Sequence, residues 1–215
     1  RQMCIRDRIN NISYLTGIIQ PQNLHQRKNI SFGQNIQTLT HTNIGSCLEG
    51  YIGKIRVRKT DGEVYLNVFK KYIGRDAENY VIQNDKNEAV GSINVFIRKS
   101  QPNPWDKTDP SHVFVDELRN FSKPDTPYHN PKLEYFKDIG TRLLQIAQRR
   151  SDEANCCGNI KLISKGESLN WYKNVIGMRQ EFPPIPGMKF QIHNPNQLYL
   201  PPEAKEPLSR LQGGL

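Results

Sequence analysis

Tyr135-Phe136-Lys137-Asp138-Ile139-Gly140-Thr141-Arg142-Leu143-Leu144-Gln145-Ile146-Ala147 (YFKDIGTRLLQIA) is the stretch on which the fold turns. From Ile139 onward the apolar residues take a helical spacing. Ile139, Leu143, Ile146 and Ala147, followed by the aliphatic stem of Arg150, lie on one face of an amphipathic helix. Gly140 therefore opens a helix. The first-turn N–H groups of such a helix have no intrahelical acceptor, and its dipole favours negative charge there. Without a Cβ, Gly140 lets a ligand come close to the backbone. Lys137 and Arg142 add positive charge beside it. An ordinary strand-to-helix turn has the same local pattern, so the flanking elements must decide.

Downstream, Gly158 ends the helical segment, and Asn159 to Ser164 (NIKLIS) is a short apolar strand. Glu167 to Val175 reads as a second helix stopped at Gly177, with strands expected at Phe190 to His193 and Gln197 to Leu200 before Pro201-Pro202. Upstream, His112 to Leu118 is a strand, separated from the helix by the proline-bearing loop Ser122 to Pro131. The loop Gln101 to Pro110 precedes it. Before that, a hairpin runs from Tyr80-Val81-Ile82 through Asn84 to Asn87 into Val90 to Arg98, with Ile93, Val95 and Ile97 on one face. The first hairpin joins Lys54 to Lys59 to Val64, Leu66 and Val68 across Asp61-Gly62, a preferred hairpin dipeptide. Its outer face (Lys54, Arg56, Arg58) is basic, which suits either plain solvation or contact with a polyanion. Hairpins, strand, helix, strand, helix, strand is the order of an α/β domain around a mixed sheet.

The chain has 215 residues, 36% of them hydrophobic, which is low enough to leave part of it outside the core. Residues 1–47 form the expected extension, rich in Asn, Gln, Thr and Ser without periodic apolar residues. Within it, Arg1 to Arg8 (RQMCIRDR) read as translated sequencing-adapter end and are set aside. Residues 48–205 are the expected domain and 206–215 a tail. No apolar run approaches the roughly 20 residues that span a bilayer, and no signal segment is visible, so a cytoplasmic protein without a membrane partner is the default expectation. Cys4, Cys47, Cys156 and Cys157 lack metal-ligand spacing, and His112, His129 and His193 form no ligand set, so no metal is expected. The net charge of +9 favours a polyanion or a phosphate-rich cofactor. That charge is spread along the chain, which speaks against a dedicated nucleic-acid surface.

With these elements in place, the segment Tyr135 to Gly140 resembles the pyrophosphate loop of the GNAT N-acetyltransferases, Arg/Gln-x-x-Gly-x-Gly/Ala. Gly140 and the following Thr141-Arg142-Leu143-Leu144 look like the family, whereas Tyr135 and Asp138 depart from it. Gly158 to Ile163 is similar to the family's next strand. Ser168 to Met178 resembles its "A-x-x-F-Y-x-x-x-G-F/M" helix, with Trp171-Tyr172 in place of Phe-Tyr. Val115 to Asn120 fits the strand whose exposed backbone pairs with pantetheine. The likeness covers roughly residues 79 to 200 and implies a mixed, mostly antiparallel sheet flanked by helices.

The resemblance also implies a function: transfer of acetyl from acetyl-coenzyme A directly to an amine acceptor. The donor would lie against Leu118, Asn120, Lys137, Asp138, Ile139, Gly140, Thr141 and Arg142, and Tyr172 would protonate the departing thiolate. A phenol of pKa about 10 is suited to that task, although a tyrosine capping the core would sit at the same place. Asp116 and Glu117 are the candidate bases for the amine. As strand neighbours they point to opposite faces, and Glu117, on the face of Val115, is the better placed; two solvated carboxylates remain the alternative. Asp138 can keep a left-handed loop shape, but its charge opposes a pyrophosphate, so an inactive coenzyme-A-binding module is a second reading. A nucleic-acid-binding protein using the basic hairpin is a third. Finally, Phe69 to Asn79 is too short for the two helices the family usually carries there, which opens the acceptor side to a protein, peptide or bulky amine.

Overall fold

The alternation in Lys54 to Val68 becomes a long antiparallel hairpin of β1 (Gly50–Arg58) and β2 (Glu63–Gly74), closed at Asp61-Gly62 with Arg58 opposite Glu63. The computed structural model of the chain describes residues 49–74, 76–100, 110–182 and 194–210. The expected extension 1–47, the loop up to residue 109 and the Phe190–His193 strand lie outside these residues. β2 pairs directly with β3 (Ala77–Gln83), Gly74 opposite Ala77, so no helix intervenes between them. β3 turns through Asn84, whose side-chain oxygen accepts from the N–H of Lys86 and Glu88, into β4 (Ala89–Arg98). β5 (His112–Asn120) then completes a five-stranded antiparallel meander.

Here the period changes from two to 3.6, and the chain crosses over through α1 (Ile139–Glu153) to β6 (Ile160–Ile163), which lies parallel to β5. α2 (Gly166–Asn174), the two-residue β7 (Arg179–Gln180), β8 (Gln197–Tyr199) and α3 (Pro202–Arg210) follow. Among the described residues the sheet has eight strands in the order β1-β2-β3-β4-β5-β6-β8-β7, and β5–β6 is its one parallel pair. The architecture is thus a mixed, mostly antiparallel sheet flanked by helices. Among the described residues no helix is long and apolar enough to cross a membrane.

The helical stripe read from the sequence is the buried one. Ile139, Leu143, Ile146 and Ala147 pack on the sheet with Ile82, Ile93, Val95 and Val115, all at most 3% exposed. Burying an aliphatic side chain of this kind contributes roughly 1.5–3 kcal/mol. The helix lies so close to β4 that a Cβ on Gly91 would stand 2.5 Å from Ile139 Cγ2. At its far end Arg150 bonds the buried Glu78 at 2.7 and 3.1 Å, and Tyr80 Oη donates to the same carboxylate at 2.6 Å. The tail expected from residue 206 begins inside α3. That helix belongs to the domain, since Leu208 is 1% exposed and Gln145 and Gln148 of α1 donate to the carbonyls of Leu208 and Lys205.

Candidate active site

β5 pairs with β4 along its whole length, from His112 opposite Arg98 to Asn120 opposite Gly91. With β6 it pairs only at Val113, Phe114 and Val115. β6 ends at Ile163 and the chain turns into α2, so among the described residues the β6-facing edge of Asp116 to Asn120 has no strand partner. This parting of parallel strands leaves an edge at Leu118 and Asn120, where the Asn120 carbonyl accepts from Thr126 Oγ1 at 3.4 Å. A β-bulge marks where it starts. Val95 lies opposite Val115 and Asn94 opposite Glu117, which leaves Asp116 as the extra residue.

The bulge corrects one expectation. Strand alternation puts Val115 and Glu117 on the same face, but the extra residue resets the count. Val115 and Leu118 both lie opposite core residues (Val95 and Ile93), and Glu117 joins Asn94 on the other face. There its carboxylate pairs with Arg119 at 2.5 Å, while Asp116 is exposed. Arg119 stacks over the Tyr128 ring at 4.7 Å, and Lys165, which precedes α2, donates to Tyr128 Oη at 3.1 Å. Tyr128 thereby ties the loop before α1 to both β5 and α2.

The glycine-opened helix is present. Arg142 N–H donates to the Asp138 carbonyl at 2.9 Å, so the N–H groups of Ile139, Gly140 and Thr141 are the first-turn donors without an intrahelical acceptor. Asp138 takes a left-handed conformation (φ 69°, ψ 1°), which its residue type tolerates. Its side chain makes no capping bond to the helix; both oxygens accept from Arg58 instead, at 2.6 and 2.8 Å. That bond holds the Asp138 carboxyl below its ordinary range. Lys137 departs from expectation, because its N–H donates to the Arg58 carbonyl at 2.8 Å and is not available to a ligand. Its side chain is exposed.

Arg142 is 3% exposed, and its Nε and Nη1 have no hydrogen-bond partner. Burial pulls its pKa down to about 10, with Asp138 opposing that and Arg56 and Arg58 adding to it. A buried cation with idle donors beside a helix N-terminus fits an incoming phosphate, which would satisfy the donors and offset the charge.

Leu118, Gly140 and Trp171 meet at one point. A Cβ on Gly140 would lie 3.1 Å from Trp171 Cη2 and 3.9 Å from Leu118 Cδ2. A side chain at position 140 would therefore press on the indole of α2. Tyr172 follows on the same helix, its ring edge-on to Trp171 at 4.8 Å between centroids. It is 7% exposed, and burial raises its pKa to about 12, so it carries its proton at any working pH.

The structure thus brings Leu118 of β5 and Trp171 of α2 to Gly140 in the first turn of α1, the turn that also holds Ile139, Thr141 and Arg142, with Asp138 turned toward Arg58. Sequence reasoning missed Arg58, Tyr128 and Lys165, whose partners lie 80 and 37 positions away and leave no local signal. Among the described residues no three His, Cys, Asp or Glu side chains are grouped to hold a metal. Cys156 is a buried free thiol.

No family model and no curated protein matches the chain. Among solved structures it is similar to GCN5 of Tetrahymena, at 16% identity over 59% of this chain and 68% of that one, TM-score 0.35. It is also similar to nourseothricin acetyltransferase, at 16% identity over 70% of this chain and 81% of that one, TM-score 0.36. Scores this low carry no weight for function, which rests on the residues and their register.

Proposed function

We propose that this chain is an acetyl-coenzyme A-dependent N-acetyltransferase of the GNAT type. The observation that carries the reading is the parting of β5 from β6 beside a glycine-opened helix with an unpartnered buried arginine. A thioester donor needs both features. Its pantetheine arm carries amides that complement the edge at Leu118 and Asn120. Its pyrophosphate suits the amides of Ile139 to Thr141 and the idle Nε and Nη1 of Arg142.

In the transfer, a neutral acceptor amine attacks the thioester carbonyl carbon. The C–N bond forms, the tetrahedral adduct collapses, and the C–S bond breaks. Tyr172 gives its phenolic proton to the departing sulfur. The proton lost by the amine goes to a carboxylate or to water. Asp116 is exposed at the bulge and Glu117 is held by Arg119, so Asp116 is the freer base of the two. Between β2 and β3 the chain makes a direct turn where the family usually carries two helices, which favours a protein, peptide or bulky amine.

Two measurements test the reading. Calorimetry with coenzyme A should give micromolar-range binding, and its absence overturns the proposal. Thiol release from acetyl-coenzyme A against a panel of small amines, polyamines and peptides should show turnover with the larger acceptors. Binding without release across the whole panel would make the chain a coenzyme-A-binding module.

A further inference from the structure

The end of the first hairpin is fastened to the loop that opens α1. Arg58 and Lys137 form an isolated antiparallel bridge, with Lys137 N–H donating to the Arg58 carbonyl at 2.8 Å. Lys59 Nζ reaches Glu134 at 2.7 Å and stands 5.6 Å from the centre of the Phe136 ring. The Arg58 guanidinium grips both oxygens of Asp138, using two of its five N–H donors. Asp138 is the last residue before the helix whose first turn is free. Left alone, its carboxylate would repel any phosphate approaching those amides.

We propose that Arg58 is a positioning residue for the donor's pyrophosphate: by gripping both oxygens of Asp138 it masks that carboxylate and keeps it from repelling a phosphate at the free first-turn amides. The hairpin thus lends the loop a guanidinium that neutralises the loop's own acid. This inference rests on the reading of the site as a coenzyme A site. The side-chain exposures agree with it. Arg58 is 61% exposed and Asp138 26%, so the guanidinium covers the acid while its outer edge stays open to solvent. A bidentate fork onto a carboxylate is geometry that Lys cannot reproduce.

The test is a cycle of four folded proteins titrated with coenzyme A by calorimetry: the parent, Arg58→Ala, Asp138→Asn and Arg58→Ala/Asp138→Asn. Because Arg58 is largely exposed, its truncation should leave the melting temperature of the free protein nearly unchanged. Should Arg58→Ala fail to fold, Arg58→Gln takes its place in the cycle. We expect Arg58→Ala to weaken binding about tenfold or more, the scale of an unmasked like charge near a phosphate. Asp138→Asn alone should change it by less than about threefold, since asparagine keeps the left-handed turn. The double variant should recover most of the loss, and Arg58→Lys should fall between Arg58→Ala and the parent. A double variant as weak as Arg58→Ala would overturn the proposal, because the role would then be bracing alone. Equal affinity in all four would overturn it as well. A folded parent that binds no coenzyme A would bring down the reading of the site itself, and this inference with it.

Discussion

Strand β5 is two different strands joined at Asp116. From Val113 to Val115 it is bonded on both sides, and its inner residues are nearly sealed, Val113 at 0% and Val115 at 3% exposure. From Glu117 to Asn120 its one strand partner among the described residues is β4, and every residue is half-buried. Composition follows the change, from His-Val-Phe-Val before Asp116 to Glu-Leu-Arg-Asn after it. The cause of the parting lies in the neighbours: β6 stops at Ile163, and one extra residue on β5 shifts the count. A core strand becomes a ligand-ready edge over a single residue, because a sheet loses one partner without losing the other.

The largest expected effect tests the open half through the helix that faces it. Tyr172→Phe should lower turnover by roughly ten- to a thousandfold, the scale of a lost general acid, with coenzyme A affinity nearly intact. Unchanged turnover would leave Tyr172 as a core residue and the open half without its acid. In the paired half, Leu162→Ala removes a side chain at 2% exposure opposite Val115. It should cost about 2–5 kcal/mol, read as a fall in melting temperature of roughly 2–4 °C per kcal/mol for a chain of this size. Leu118→Ala, in the open half, should cost less stability and more coenzyme A affinity. If the two leucine variants behaved alike, the division of β5 would fail.

The buried phenol gives a pH prediction. Tyr172 has its folded-state pKa raised to about 12 by burial. A raised pKa means that its contribution to stability is complete below the unfolded value near 10 and is lost as pH rises through 12. Ultraviolet titration should show Tyr172 ionising late together with the fully buried Tyr80, Tyr172→Phe should remove one of the two late steps, and activity should keep its acid through pH 10. Ionisation of every tyrosine near 10 would show Tyr172 to be solvated. The smallest effect concerns residues 1–47. A chain beginning at Leu48 should melt within about 5 °C of the full one and still bind coenzyme A. A larger loss would mean that the extension completes the open face of the meander.

How much of this was legible depended on how local the cause was. The Asp61-Gly62 turn, the alternation around it and the helical spacing of α1 are properties of adjacent residues, and they were readable. α3 was not recognised because Pro201-Pro202 reads as a stop. A proline at the first helical position is well tolerated, and Ala204 and Leu208, four apart, carry its apolar face. Gly140 was legible from spacing, but the indole of Trp171 against it was not. The bulge at Asp116 has no sequence signature at all. It is set by the register between β4 and β5, and it displaced Glu117 from the face that alternation assigns to it.

The single parallel pair has a consequence for how the protein assembles. Strands β1 to β5 each pair with their neighbour in the chain, so the meander can form by short loop closures. Joining β5 to β6 instead closes a loop that spans the whole 121–138 segment and α1, which is entropically dearer and slower. The candidate site therefore lies on the seam between the part wired locally and the part that closes over distance. Amides of β6 should exchange with solvent before those of β3 and β4. A ligand that touches both β5 and α1 should slow β6 exchange most, as if it were a final stitch in the fold.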